Sequence, residues 1–454
     1  MEFHRPEGLA REIRRHWLRQ NSVQLRHALE QTFGDSTDHD PHVEAVIAAV
    51  FATLTAKQAA QFRQELNNFQ RERLWSQQRR RRNERATRRF LKRQTIAANC
   101  CDVICIASNE GPYIAEFIHH YLAQGFSNLF IGLNNDSSGQ TGPIVEAIAA
   151  HYPQVHLINT DRAHRRGPQR ASYRSLYNHA SRESSSSHCL IVDVDEYWVA
   201  NPLRLSINAF LAQHADADVI SFNWLHCHGS SLFGNPLDLS STQLRLTDQF
   251  KSLFRYGIPI TDLGAHAPTV LGEVRHIVSG GKEVRSRNTS SSHSHQLRKR
   301  GVAVRPDQQL SGWVIHRHTR SDLEHAAKLL RPHANQDAAV PFKSNRNGAP
   351  PREESAASRQ LAQALLGDER EAPEPYRQSL ATFISECSIA DAIDRTRSSI
   401  NEATIRAQIE AIPPAVVQAN RLIWKRSFRR SRFLEQLKQR AKLNGSQPSS
   451  GEAV

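Results

Sequence analysis

Two hydrophobic rhythms divide this chain. Residues 1–98 show no alternation of apolar and polar positions, and segments such as Val43–Phe51 and Phe62–Leu66 repeat near every 3.6 residues, which predicts helix. At Cys100 the texture changes to short apolar runs: Cys101–Ala107, Leu129–Leu133, Val155–Ile158 and Cys189–Val192. Each is short enough for a buried strand. Amphipathic stretches over Tyr113–Gln124, Pro143–His151 and Pro168–Ser181 separate them and predict helices. Strands alternating with helices predict an α/β protein with a parallel, doubly wound sheet.

Beyond Trp198 the rhythm is less regular. Asp218–Trp224 reads as a strand, and Ser279–Arg300 as a polar, basic loop. Residues 333–375, rich in Ala, Pro, Asn and charge, predict an exposed linker. Helical periodicity returns over 376–443, and 444–454 reads as a disordered tail. The predicted organisation is a basic helical region at 1–98, an α/β domain at 99–332, the linker, and a C-terminal helical region.

Charge adds one feature. Lys and Arg outnumber Asp and Glu by 59 to 45, for a formal charge of +14. The excess concentrates in Arg71–Arg93, with its run Arg79–Arg82, and in Arg421–Arg440, which reads as a basic amphipathic helix. Both suit anionic lipid headgroups, other anionic partners, or plain solvation. The 6 cysteines form no Cys-x-x-Cys pair, and several sit in apolar runs, so reduced thiols are expected. Neither a secretory signal nor an apolar run long enough to span a bilayer is visible. The expected location is the cytoplasm, with peripheral attachment at the inner membrane face through the basic helices.

Candidate chemistry lies where predicted strands end. Asp193-Val194-Asp195-Glu196 follows the fourth run. In an extended segment Asp193 and Asp195 project to the same side, and a divalent cation between them relieves their repulsion. Oxygen ligands of this kind suit Mg²⁺ or Mn²⁺, with positions left for substrate phosphates. Asn109 and Glu110 follow the first run and Asp136 the second, and these can meet a base or ribose. Read singly, each is more often a turn or cap residue.

The ordered set resembles a known family. Ala107–Tyr113, Glu116–Tyr121, Gly125, Asn135–Ser138, Pro168–Arg170 and Val192–Tyr197 occur in the order seen in family 2 glycosyltransferases, and more narrowly in the branch related to family 92. The likeness continues through Phe233-Gly234, Lys251 and Val314–Ser321. It implies a GT-A fold, which is Rossmann-like, with N- and C-terminal helical extensions. It also implies a nucleotide-sugar donor, a UDP-sugar first, and a divalent metal, Mn²⁺ or Mg²⁺. Carried over, Asn109, Glu110 and Asp136 would contact the nucleoside, and Asp193 the ribose or metal. Asp195 would be a direct metal ligand, and His316 would complete the metal site or touch the diphosphate. Lys251 and Arg320 would meet phosphates, and Asp248 would be the catalytic base of an inverting transfer, with Asp238, Asp262 and Glu273 as competitors. The acceptor would be a glycan, a polysaccharide or a lipid-linked glycan. The sequence departs from the family at Gly139-Gln140, where Asp-Gly is common, at Tyr197 for Phe, and at His318 for Tyr.

Two other readings stand beside this one. A nucleic-acid-binding protein would fit the charge, but no recognisable motif supports it. A catalytically inactive scaffold of the same fold is disfavoured by Asp193, Asp195 and His316 all being present.

Overall fold

A computed structural model describes residues 6–20, 22–33, 41–70, 99–134, 136–229, 231–240, 242–270, 274–284, 311–331, 340–343, 354, 356–367 and 370–443. The basic stretch Arg71–Arg93, most of the 279–300 loop, Asn135 and the tail at 444–454 lie outside the described residues. The chain divides into two compact units, Met1–Arg85 and Ala86–Val454.

In the first unit, α1 (Pro6–Leu18), α2 (Ser22–Phe33), α3 (Pro41–Phe51) and α4 (56–70) gather Ile13, Leu29, Phe33, Val46 and Phe62 into one core. Trp17 packs edge-on against Phe62 at 5.6 Å.

The second unit opens with the predicted alternation: β1 (Cys101–Ala107), α5 (Ile114–Ala123), β2 (Asn128–Leu133), α6 (Thr141–His151), β3 (Val155–Asn159), α7 (Asp161–Arg166), α8 (Pro168–Glu183) and β4 (His188–Asp193). These strands are parallel, and β1 lies between β2 and β4. Strand order therefore reverses beside β1, which opens a crevice at the carboxyl edge. Along β4, Leu190 and Val192 enter one core, while Cys189 and Ile191 enter the other. That alternation marks strands buried on both faces. Residues of α5 and α6 fill the first core, and Tyr173, Leu176 and Ala180 of α8 the second.

Past β4 come β5 (Glu196–Ala200), α9 (Ile207–Gln213), β6 (Val219–Gly229), β7 (Thr242–Arg255), a separate pair β8 (Ile260–Leu263) and β9 (Pro268–Val270), β10 (His276–Val278), β11 (Gly312–Thr319) and α10 (Asp322–Leu329). Among the described residues the main sheet has 9 strands in the order β3-β2-β1-β4-β7-β6-β11-β5, with β10 beside β6. β7 runs antiparallel to β4 and β6, and β5 antiparallel to β11. The sheet is mostly parallel and flanked by helices, an α/β arrangement compatible with a Rossmann-like fold. Its antiparallel pairings all involve strands after β4, where the hydrophobic rhythm is irregular.

The segment read as an exposed linker contains α11 (Ala356–Leu366), which buries Leu361, Ala362 and Leu365 in the main core. Arg370 donates to both carboxylate oxygens of Glu354, at 3.0 and 2.9 Å. α12 (Glu374–Glu386) and α13 (Ala390–Ser398) join the same core through Phe383 and Ile393, and Arg397 bonds Glu116 of α5 at 2.5 Å. A Cβ at Gly111 would come within 2.7 Å of Thr396 Cγ2, so α13 sits directly on the loop after β1. Then α14 (Glu402–Ala411), α15 (Pro414–Ala419), α16 (Arg421–Ser427) and α17 (Leu434–Lys442) form a further core with Ala326 and Leu329 of α10. The single amphipathic helix expected over Arg421–Arg440 is thus two helices. Trp424, Phe428, Phe433 and Leu437, its apolar stripe, are buried within the protein.

Burial also holds histidines neutral. His120 lies 2.7 Å from the Trp198 carbonyl and 3.1 Å from the Tyr376 hydroxyl, and burial pushes its pKa down to about 3. Burial likewise pushes His276 to about 4 and His188 to about 3. Such a group takes up a proton more readily when unfolded. Its contribution is therefore present above the ordinary value near 6.5 and is lost as pH falls toward the folded value. At pH 5 the loss for His120 alone is about 2 kcal/mol. Urea unfolding at pH 7, 6 and 5 should show stability dropping at each step, and equal midpoints across that range would contradict it.

Candidate active site

The acidic motif is a turn, not one extended segment. Asp193 ends β4, Val194 and Asp195 make the turn, and Glu196 begins β5. Val194 is buried and anchors the turn. The expected same-side projection of Asp193 and Asp195 therefore gives way to two differently placed carboxylates. Across the sheet, Glu196 is paired in register with His316 on antiparallel β11, which brings an acid and an imidazole together from positions far apart in sequence.

Asp193, half-buried, joins an ionic knot whose other members, Lys251 and Glu196, are fully buried. The Lys251 ammonium lies 3.2 Å from Asp193 Oδ2 and 2.9 Å from Glu196 Oε2, and neither Lys251 nor the Glu196 side chain has any exposed surface. The Tyr173 hydroxyl donates to Asp193 Oδ1 at 2.7 Å, and the Asp193 N–H donates to Glu196 Oε2 at 3.0 Å. Desolvation, the largest influence, pushes the Asp193 carboxyl up, but the Lys251 charge and the hydrogen bonds from Lys251 and Tyr173 together hold the group below its ordinary value. Burial pushes Glu196 up to about 8, with Lys251 pulling against the rise and Asp193 and Asp195 adding to it. Burial disfavours the Lys251 ammonium, yet its two acid partners raise its pKa above the ordinary value.

Asp195, Glu196 and His316 form the cluster that suits a metal. Among the described residues, they offer ligand atoms that all lie within 4.8 Å of one another. His316 Nε2 is 3.5 Å from Asp195 Oδ2, and Glu196 Oε1 is buried with no hydrogen-bond partner. Two carboxylates, an imidazole and one unsatisfied buried oxygen fit a divalent cation. Asp195 and His316 meet as expected, but the third member is Glu196 in place of Asp193. Lys328 of α10 also reaches Asp195 Oδ2. Beside it, Glu110, Tyr113, His318, Arg320, Glu324, His325, Lys328 and Arg331 line a shallow, solvent-open pocket. The Arg320 guanidinium stacks on the Tyr113 ring, 3.3 Å from its centroid, and Arg331 donates to the Asn109 carbonyl at 2.6 Å.

Other expected site residues fare differently. Asp136 is occupied by the protein itself: Oδ1 accepts from the Asn109 N–H at 3.0 Å, and Oδ2 from the Thr141 N–H at 2.9 Å, which caps α6. Asn109, at φ 56°, accepts from the Ser138 N–H at 2.8 Å and donates to Ser137 Oγ at 3.0 Å. These two residues clamp the loops after β1 and β2 to each other. Glu110, in contrast, opens onto the pocket. Lys251 is enclosed by its acid partners and is not placed to meet a phosphate. Asp248 falls on β7, though its side chain lies outside the described residues, as does Glu273. Of its competitors, Asp262 pairs with Arg170 and Arg174, and Asp238 accepts from Ser240.

Tyr173, Lys328 and Arg331 are the residues that sequence reasoning left out of the site, and Glu196 was named in the motif without a role of its own. A usable signal existed for two of them. Ser321 and Glu324 form a capping box, visible as Ser-x-x-Glu, so Lys328 and Arg331 follow from a helix starting just after His316. Compared with models of known protein families and with curated proteins, the sequence gives no match.

Proposed function

We propose that the chain is a glycosyltransferase of the GT-A type, moving a sugar from a nucleotide-sugar donor to a hydroxyl of a glycan or lipid-linked acceptor. The observation that carries this is adjacency: a cluster of side chains suited to a metal ion adjoins a pocket lined by Arg320, Lys328 and Arg331. A diphosphate needs both, a metal on one side and cationic side chains on the other. The site stands at the carboxyl edge of parallel strands, where their order reverses, the usual place for nucleotides in such sheets. Asp195, Glu196 and His316 would hold Mn²⁺ or Mg²⁺, which supplies neutralisation of the charge growing on the leaving diphosphate. Glu110 faces the ligand, while Asn109 and Asp136 shape the loops that receive it. For the base, Asp248 remains our assignment. The β6–β7 register shifts between Asn223 and Leu225, next to where Asp248 lies on β7. Trp224, at that shift, packs against His316 with ring centroids 4.4 Å apart. In an inverting transfer the base takes the acceptor's hydroxyl proton as its oxygen attacks the anomeric carbon and the bond to the diphosphate breaks. A product retaining the donor's anomeric configuration would overturn that step. The primary test is calorimetric titration with UDP and GDP, each with and without Mn²⁺. Metal-dependent binding of at least one is expected, and absence of binding for both would sink the reading.

Peripheral attachment to an anionic membrane is part of the same proposal. No helix among the described residues is long and apolar enough to cross a membrane. Arg421, Lys425, Arg426, Arg429 and Arg430 are all exposed, and Leu422 among them is 86% exposed. A surface of this kind meets acidic headgroups with its cations and the acyl boundary with its leucine. Charge reversal of Arg421, Lys425 and Arg430 should reduce co-sedimentation with vesicles containing phosphatidylserine by about tenfold or more. Binding that ignores lipid charge would refute the assignment.

A further inference from the structure

The Asp195 carboxylate is shared between Lys328 and His316. Its Oδ2 receives the Lys328 ammonium and also faces His316 Nε2. That carboxylate belongs to the set, with Glu196 and His316, whose ligand atoms lie within 4.8 Å of one another. A divalent ion seated there would draw on the same oxygens that Lys328 holds. An ammonium and a divalent ion sharing one largely buried carboxylate repel strongly, because few waters stand between them to screen the charge.

The fold gives Lys328 somewhere to go. Its helix is fixed: α10 starts in a capping box, and its Leu329 is fully buried against the C-terminal helices. The movable part is the side chain, which is 21% exposed and borders the pocket. That pocket already carries Arg320 and Arg331. A third cation entering it is opposed unless an anion arrives as well.

We infer that Lys328 is a displaceable resident counter-ion, which holds Asp195 when no metal is bound and turns into the pocket to pair with an anionic ligand when one enters. This rests on the metal and diphosphate reading above and adds a coupling to it. Metal binding evicts Lys328, and the evicted ammonium improves the pocket for a diphosphate. By linkage, the diphosphate improves the metal site by the same factor. Coupling of this type usually amounts to roughly 5- to 150-fold.

The test measures binding, not turnover. Mn²⁺ affinity of the full chain is measured by calorimetry for the unmodified protein, Lys328→Met, Lys328→Arg and Asp195→Asn. UDP affinity is then measured at saturating Mn²⁺. Lys328→Met should bind Mn²⁺ about tenfold more tightly without nucleotide and bind UDP about tenfold more weakly in its presence. Lys328→Arg should restore the original order. A lysine that only supported the local structure would weaken both affinities on removal. Lys328→Gln repeats the comparison if the methionine variant does not fold. Unchanged or weaker Mn²⁺ binding by Lys328→Met and Lys328→Gln, with binding still abolished in Asp195→Asn, overturns the inference and leaves the metal reading standing. No Mn²⁺ binding by any of the proteins overturns both.

Discussion

Asp195→Asn is expected to abolish metal-dependent UDP binding and to lower sugar transfer by about 10²- to 10³-fold, with little loss of stability. The substitution keeps the shape of the side chain and removes its charge. Asp195 sits in a turn, and its backbone carbonyl, which accepts from the Arg317 N–H at 2.8 Å, is untouched. What changes is the cluster with Glu196 and His316, which is left with one ionisable carboxylate in place of two. Asp193→Asn supplies the contrast. That residue is tied to Lys251 and Tyr173, so its loss should lower stability more and Mn²⁺ affinity less. Mn²⁺ titrations and urea melts of both variants separate the two roles. Equal losses of metal affinity would return Asp193 to the ligand set and show that the turn rearranges on binding.

The parallel half of the sheet was legible because its central strands, β1 and β4, are buried on both faces. Such strands read as short apolar runs, and the runs at Cys101–Ala107 and Cys189–Val192 fix β1 and β4 to within a residue. The motif's place at the end of β4 followed from that. Its geometry did not, since a turn of Val194 and Asp195 has no Gly, Asn or Pro to announce it. The partnership of Glu196 with His316 depends on cross-strand register between distant segments, which periodicity does not carry. Lys251 was expected to meet a phosphate because the family resemblance carried that role to it, and nothing in the sequence tells a lysine facing solvent from one facing a buried carboxylate. Asp136 shows the reverse case: its more frequent role as a turn and cap residue is the one its hydrogen bonds display. The segment at 333–375 misled through composition, since Pro, Asn and charge outweighed the apolar stripe of Leu361 and Leu365 in α11.

Lys251→Met should destabilise the protein by about 3 kcal/mol at pH 7, measured by urea unfolding in metal-free buffer. Removing one member of a buried ionic group leaves the others uncompensated, and Lys251 has no exposed surface through which water could take its place. The two acids it serves differ in their alternatives. Asp193 keeps the Tyr173 hydroxyl and a side chain that is 39% exposed, so it retains solvation. Glu196 is fully enclosed and can only keep its proton. With the lysine present, burial already raises its pKa to about 8. A carboxyl raised in the folded state contributes stability that is complete below its unfolded value and is lost as pH climbs through the folded one. In the unmodified protein that loss ends near pH 8, whereas without Lys251 the folded value rises further and the loss continues. The gap between the two proteins should therefore widen above pH 8 by about 1.4 kcal/mol per pH unit. Adding Glu196→Gln to Lys251→Met removes the group responsible, so the double variant should recover part of the stability and lose the extra pH dependence. A gap that stays constant from pH 7 to 9.5 would show that Glu196 is ionised well below pH 8, and that Lys251 holds two full negative charges instead of one.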